Sequence, residues 1–241
     1  MSPLRKPSRS RLLKGLACAG FGCLACLCTF TDIDLRLSSP FYTVSQGWYL
    51  TRTAPWSWLY DYGEYPAILL SIVAFLILVG SVWRLQWRSY RRLCLFLVLA
   101  VALGPGLAVN GILKPLWGRP RPRHIERFDG TATYRAWWQP GGPGTGTSFP
   151  SGHAAMGFVL VAGVMLVPCR RAGLRRVLFI SVFGYGGLLG VTRIVQGGHF
   201  LSDVLGSGGV VILVVYGLCS IFHRVSWQPL LPGRNPIARC E

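Results

Sequence analysis

The sequence predicts an all-α protein, a polytopic membrane helix bundle of about six transmembrane helices. Three observations lead there. The 241-residue chain is 51% hydrophobic, only 14% charged and holds nine Trp. Low charge with long apolar runs marks a membrane protein rather than a large soluble core. The apolar residues fall into six runs, separated by basic or Gly/Pro-rich segments. The 25 Lys and Arg, against 8 Asp and Glu, are scattered between those runs rather than gathered in one arm. No nucleic-acid-binding motif accompanies them, which excludes nucleic acid as the partner.

The first run, 15–30, follows a basic arm at 1–14. Such a pair also describes a cleaved leader. No small-x-small site follows it, and Thr31-Asp32 is a polar exit, so a retained first helix is expected. Residues 31–65 read as a loop with Asp32, Asp34, Asp61 and Glu64 among the aromatics Phe41, Tyr42, Trp48, Tyr49, Trp56, Trp58 and Tyr60. This segment is either an interfacial aromatic belt or a lid over a site. The second run is 66–83, with Pro66 at a tolerated helix start. The third, 93–113, contains Gly104-Pro105-Gly106, which predicts a kink near its exit. Asn110, late in that run, is assigned a hydrogen bond to a neighbouring helix.

Residues 114–152 form a long polar segment in which Pro120 and Pro122 forbid a regular helix. Glu126 and Asp129 there balance local arginines, and Trp137 and Trp138 mark an interface. The fourth run is 154–167, extended outward by Ser151 to His153. The fifth is 177–195, and its four glycines between Gly184 and Gly190 suit close helix packing. Gly197-Gly198 breaks it. His199 opens the sixth run, 200–222, which places Asp203 in that helix's first turn. Cys23-x-x-Cys26 lies inside an apolar run with no histidine nearby, so neither a metal site nor a disulfide is expected of it.

Six spans put both termini on one side of the membrane, and basic residues choose the side. Five Lys/Arg in the N-terminal arm, four in 84–92, four in 170–176 and three in the tail share a side, leaving nine of the 25 on the other. The arms and short loops are therefore cytoplasmic. The polar residues 114–152, Arg193 and His199 face outward, at the outer membrane–water boundary.

Those outward residues carry chemistry. Lys114, Arg121 and Arg193 suit a phosphate dianion, which an Arg fork grips bidentately. Arg119 and Arg123 read as steering or lipid-contacting side chains with a weaker claim. Ser151 and Gly152 precede an apolar run whose helical N–H groups and dipole would add an anion site. His199 and Asp203 are four apart and share a face if helical. The carboxylate then fixes one imidazole tautomer and leaves the other nitrogen free to attack phosphorus. His153 is available to protonate the leaving oxygen. His124 and His223 are assigned to the surface.

The spacings Lys114-x6-Arg121-Pro122, Pro150-Ser151-Gly152-His153 and Arg193-x5-His199-x3-Asp203 resemble the three-part signature of the type 2 phosphatidic acid phosphatase family. That family also includes glucose-6-phosphatases and vanadium haloperoxidases. One departure is Thr192 before Arg193, where the family has Ser; the hydroxyl is kept. The resemblance implies one integral membrane phosphatase domain over 1–241, with core motifs at 114–203 and cytoplasmic tails at 1–14 and 223–241. It implies no cofactor and no metal. His199 would be the nucleophile of a phosphohistidine mechanism, Asp203 its orienting partner and His153 the acid and then the base. Lys114, Arg121, Ser151, Gly152 and Arg193 would hold the phosphoryl oxygens. The substrate would be a lipid phosphate monoester or diphosphate at the outer leaflet of a bacterial inner membrane. Phosphatidic acid, phosphatidylglycerophosphate, undecaprenyl pyrophosphate and lipid A all remain open, with the arginines of 119–135 favouring a large anionic head group. Two rivals are a phosphotransferase using the same residues and a non-enzymatic anion or lipid transporter. A transporter would favour an inverted repeat, which the sequence lacks.

The charge bias makes a topological prediction. Reporter fusions after Arg88 and Arg171 read cytoplasmic and fusions near Gly141 read external; an external signal at Arg171 reverses the orientation.

Overall fold

The computed structural model describes Gly22, Cys26 and residues 28–224, and every named element within them is helical. The basic arm, most of the first predicted span including Cys23, the side chains of His223 and Arg224, and the tail beyond 224 lie outside the described residues. Four helical stretches are long and apolar enough to cross a membrane: Trp56–Gly80, Leu85–His124, Ala172–Val195 and Leu201–Phe222. The expected membrane bundle is present, but six spans are not reached among the described residues. The fourth run forms two short helices, Gly152–Phe158 and Val161–Met165. Together they rise roughly 21 Å, against a hydrocarbon core of about 30 Å.

Lipid is the solvent these surfaces require. The Tyr65–Gly80 helix, started by Pro66, buries only Ala67 and Ala74. Its Leu69, Ile72, Val73, Phe75 and Leu76 are exposed. A helix that is apolar all round yet little buried is stable only in hydrocarbon. The buried core lies deeper, where Phe96, Ala100 and Val109 meet Ala155, Val159, Val211 and Val215.

The third run changes its winding around Gly104-Pro105-Gly106. Arg91–Val101 is α-helical, Ala102–Leu113 is wound as a π-helix, and Lys114–Trp117 returns to α. Pro105 has no N–H and its ring crowds the preceding turn. The chain accommodates it by widening its turns. Asn110 Nδ2 donates to Pro105 O at 2.8 Å, and Lys114 Nζ donates to Asn110 Oδ1 at 2.7 Å. Both partners of Asn110 thus lie on its own helical stretch, not on a neighbour, and the pair holds Lys114 at the end of the run. Residues 31–65 are not an irregular loop either. Ile33–Ser38, Ser39–Phe41 and Trp56–Tyr62 are helical turns that fold back over the bundle end.

The predicted close packing falls on two of the four glycines. A Cβ on Gly186 would meet the Phe158 ring at 2.4 Å, and one on Gly190 would meet Val204 Cγ1 at 2.3 Å, whereas Gly184 and Gly187 face open space. Gly157 completes the first contact, since its Cβ would stand 2.6 Å from Gly186 Cα. These contacts draw the Gly152–Phe158, Ala172–Val195 and Leu201–Arg224 helices together directly beneath the site.

Gly157→Ala is expected to destabilise the protein by roughly 1–3 kcal/mol, because main chain cannot move aside. Gly163→Ala, with nothing within 4 Å, is expected to be neutral or stabilising by up to about 1 kcal/mol. Thermal unfolding of both variants in detergent decides; equal Tm values would contradict the packing.

Candidate active site

The three motif segments are stitched together by main-chain hydrogen bonds. Ser148 N donates to Arg119 O at 2.8 Å, Arg123 N to Gly197 O at 3.1 Å, and Ser151 N to Asp203 O at 3.2 Å. Ser207 Oγ adds bonds to both Ser151 O and Asp203 O, each 2.7 Å. These bonds satisfy backbone groups that a non-helical segment would otherwise bury unpaired.

Asp203 sits in the first turn of its helix, as the sequence predicts, and its carboxylate accepts Phe200 N–H at 2.8 Å. That is the acidic half of a capping box. Ser148 Oγ donates to the same oxygen at 2.6 Å. Arg119 Nη1 donates to the other carboxylate oxygen. His199 is not in the helix but in the segment before it, so the expected shared helical face is not what joins the pair. That segment places His199 Nδ1 3.6 Å from Asp203 Oδ2, longer than a hydrogen bond. Nε2 is left on the other side of the ring. Burial pushes the His199 imidazole down to about 4, with Asp203 pulling only partly against it. The ring is therefore neutral around pH 7, the state an attacking imidazole needs.

Arg119 is the main correction to the sequence reading. It is completely buried and touches no lipid. Besides Asp203 it donates to Asp34 Oδ2 at 2.9 Å, Ser202 Oγ at 2.7 Å and Arg135 O at 2.8 Å. Its guanidinium lies 4.4 Å from the Phe200 ring centroid. Asp34 in turn accepts Ser202 N at 2.9 Å and the Ser202 hydroxyl. A cation between two carboxylates, with further polar partners, is the arrangement that makes a buried ion pair tolerable.

The phosphate-binding candidates behave differently. Arg121 Nε, Arg193 Nε and Ser151 Oγ are buried and have no hydrogen-bond partner, as does His199 Nδ1. A buried donor left unmade costs about 1–3 kcal/mol, so these are donors built for a ligand. Arg193 Nη1 is held by Gln196 Oε1 at 2.6 Å, and its guanidinium packs 4.5 Å from the Tyr60 ring centroid. Gly152 lets Lys114 approach, since a Cβ there would stand 3.1 Å from Nζ. Gly198 does the same for Arg193, its Cβ falling 2.4 Å from Nη2. His153 is partly exposed, stacked on Tyr60 with ring centroids 4.8 Å apart, and its Nδ1 is 3.2 Å from Glu64 Oε1.

Sequence reasoning placed Lys114, Arg121, Ser151, Gly152, His153, Arg193, His199 and Asp203 in one site. It missed Asp34, Tyr60, Glu64 and Ser148. One signal was available: only 8 acidic residues stand against 25 basic ones, and carboxylates so scarce have specific partners. Asp129, read as balancing an arginine, instead accepts the Tyr42 hydroxyl.

Comparison with known proteins bears on this geometry. The family described as the PAP2 superfamily matches residues 90–227. The lipid A 4'-phosphatase of Francisella tularensis subsp. novicida (strain U112) is 31% identical over 220 residues, covering 90% of this chain and 98% of that protein. The lipid A 4'-phosphatase of Rhizobium etli is 37% identical over 118 residues, 48% of this chain and 44% of that one. A lipid A 1-phosphatase of the same organism is 31% identical over 141 residues, 56% of this chain and 53% of that one. No solved structure matches.

The two arginines two residues apart are expected to fail in different ways. Arg119→Lys keeps the charge but removes the fork that spans two buried carboxylates, and destabilises the fold by roughly 1–3 kcal/mol through the hydrogen bonds left unmade, read as lost Tm and yield. Arg121→Lys keeps the Tm and loses at least about tenfold in kcat/KM toward a phosphate ester. Equal Tm losses would mean that Arg121, too, serves the fold.

Proposed function

We propose a specific reaction for this chain, which belongs to the PAP2 superfamily and is a membrane-associated lipid phosphatase: removal of the 4'-phosphate of lipid A. The reaction takes place at the outer leaflet of the bacterial inner membrane, needs no metal, and passes through a phosphohistidine. One observation carries the chemistry. Among the described residues, the buried donors that lack a partner are Arg121 Nε, Arg193 Nε, Ser151 Oγ, His199 Nδ1 and Trp48 Nε1, and four of these five belong to the three motifs. A dianion between them satisfies the arginines and the serine at once. The choice of lipid rests on the relative that aligns over nearly its whole length.

In this mechanism Lys114, Arg121, Arg193, Ser151 and the Gly152 N–H hold the non-bridging oxygens, and hold them more tightly as charge grows in the transition state. The His199 Nε2 lone pair attacks phosphorus. The P–O bond to the sugar breaks, and its electron pair leaves with the oxygen, which takes a proton from His153. Asp203 stabilises the positive charge that develops on His199. A water then gives its proton to His153 and attacks the phosphohistidine, which releases phosphate and restores both rings. The domain performing this is the whole chain, with its chemistry confined to 114–203 and the 31–65 cover acting as the lid.

Purified protein in detergent is expected to release inorganic phosphate from lipid A and to leave a product that mass spectrometry shows to lack the 4'-phosphate. Acid-labile, base-stable label from radiolabelled substrate appears in the wild type during turnover and is absent from His199→Asn. With His199 titrating at about 4, activity falls as pH drops below about 5, where the nucleophile becomes protonated. Vanadate inhibits, and EDTA does not abolish turnover. Transfer to an acceptor lipid without free phosphate, label persisting in His199→Asn, or abolition by EDTA would each overturn the reading.

A further inference from the structure

Each of the two site histidines has a carboxylate at Nδ1. For His199 it is Asp203. For His153 it is Glu64, whose Oε1 lies 3.2 Å away, within hydrogen-bond reach. Glu64 lies outside the three motifs. It occupies the N-cap position of the Tyr65–Gly80 helix yet makes no side-chain cap bond to that helix. Its carboxylate is turned to the imidazole. The same segment supplies Tyr60, which stacks on the His153 ring with an interplanar angle of 9° and carries the Arg193 guanidinium 4.5 Å from its centroid. The ring of His153 is thus held in its plane by Tyr60 and in its rotation by Glu64.

Electrostatics give the contact a purpose. Arg193, His199 and Lys114 are the other titratable groups close enough to act on His153, with Tyr60 at its face. Burial pushes the His153 imidazole down to about 4, Arg193, His199 and Lys114 push the same way, and a hydrogen bond to the Tyr60 backbone opposes them. A general acid must carry a second ring proton when substrate arrives, and the carboxylate nearest the ring is that of Glu64, 3.2 Å from Nδ1.

We propose that Glu64 is the positioning residue for His153, a second His–carboxylate pair serving the leaving group as His199–Asp203 serves the attack. The inference rests on the acid role given to His153 above. Glu64 accepts the Nδ1–H throughout, so Nε2 is the nitrogen that works. As the P–O bond breaks, the Nε2 proton passes to the departing oxygen, which keeps the bonding electron pair. When water attacks the phosphohistidine, Nε2 takes one water proton, and Glu64 gains none in either step.

The test uses leaving-group dependence, which a merely structural role does not alter. An alkyl phosphate needs protonation to leave, whereas p-nitrophenolate does not. In detergent-purified protein, Glu64→Gln is expected to lose at least about tenfold in kcat/KM on a lipid alkyl phosphate and less than about threefold on p-nitrophenyl phosphate. Its basic pH limb should move to lower pH, because a ring without its carboxylate gives up the proton sooner. Glu64→Asp, one methylene short of Nδ1, should recover part of the loss. If Glu64→Gln fails to hold its Tm, the same pair of substrates on Glu64→Asp decides. Equal losses on both substrates, or an unmoved basic limb, would overturn the proposal. His153→Ala separates the two readings. If it shows leaving-group dependence and the Glu64 variants do not, only the Glu64 proposal fails. If it shows none, the acid role of His153 fails with it.

Discussion

The Arg119 guanidinium between Asp34 and Asp203 is the interaction on which the rest of the site depends. All three groups are fully withdrawn from solvent. Removing Arg119 strands two carboxylates in a low-dielectric interior, which is far more costly than the net worth of the intact pair. The bridge also joins distant parts of the chain. Asp34 comes from the turn after the first apolar run, Arg119 from the end of the third, and Asp203 from the start of the last. Ser202 and Ser148 fill the remaining acceptor positions of the two carboxylates. Asp203 is therefore held on all sides before any substrate arrives, and it meets His199 as a fixed charge rather than a mobile one.

Around this satisfied centre lies an unsatisfied rim. Arg121 and Arg119 are two residues apart in a Pro-bounded extended stretch, where successive side chains cannot follow a helical face. One finds four partners inside the protein; the other keeps a buried Nε without any. Preorganised donors of this kind need no reorganisation when an anion enters. Their cost in the free protein is offset by the packed glycine contacts directly beneath, where rigid helices leave the motif segments little room to relax.

The cover formed by residues 31–65 links this chemistry to the membrane. It lies at the end of the bundle from which Lys114, Arg193 and His199 emerge, and it contributes Asp34 to the buried bridge and Tyr60 and Glu64 to the partly exposed side of the site. Trp58 and Tyr62 on the same segment stay exposed, as aromatic side chains at a lipid–water boundary do. One face of the segment thus lies on the site and another is exposed.

What the sequence determined by itself was set by local rules. Long apolar runs can only be lipid-exposed or core helices, Pro120 and Pro122 bar a regular α-helix there, and Asp203 falls at a helix start because Gly197-Gly198 ends the preceding one. The three motifs were legible because residue types and spacings are local properties of the chain. What only the tertiary structure decided is which of several similar charges is used inside. Arg119 and Arg121 are equivalent in composition and differ in whether Asp34, 85 residues away from Arg119, reaches them. Glu64 was equally illegible, because nothing local distinguishes a helix-capping glutamate from one turned toward His153. Pairings of this kind are chosen by the fold, since in a low-dielectric interior every charge must find its partner wherever the packing of distant segments happens to place it.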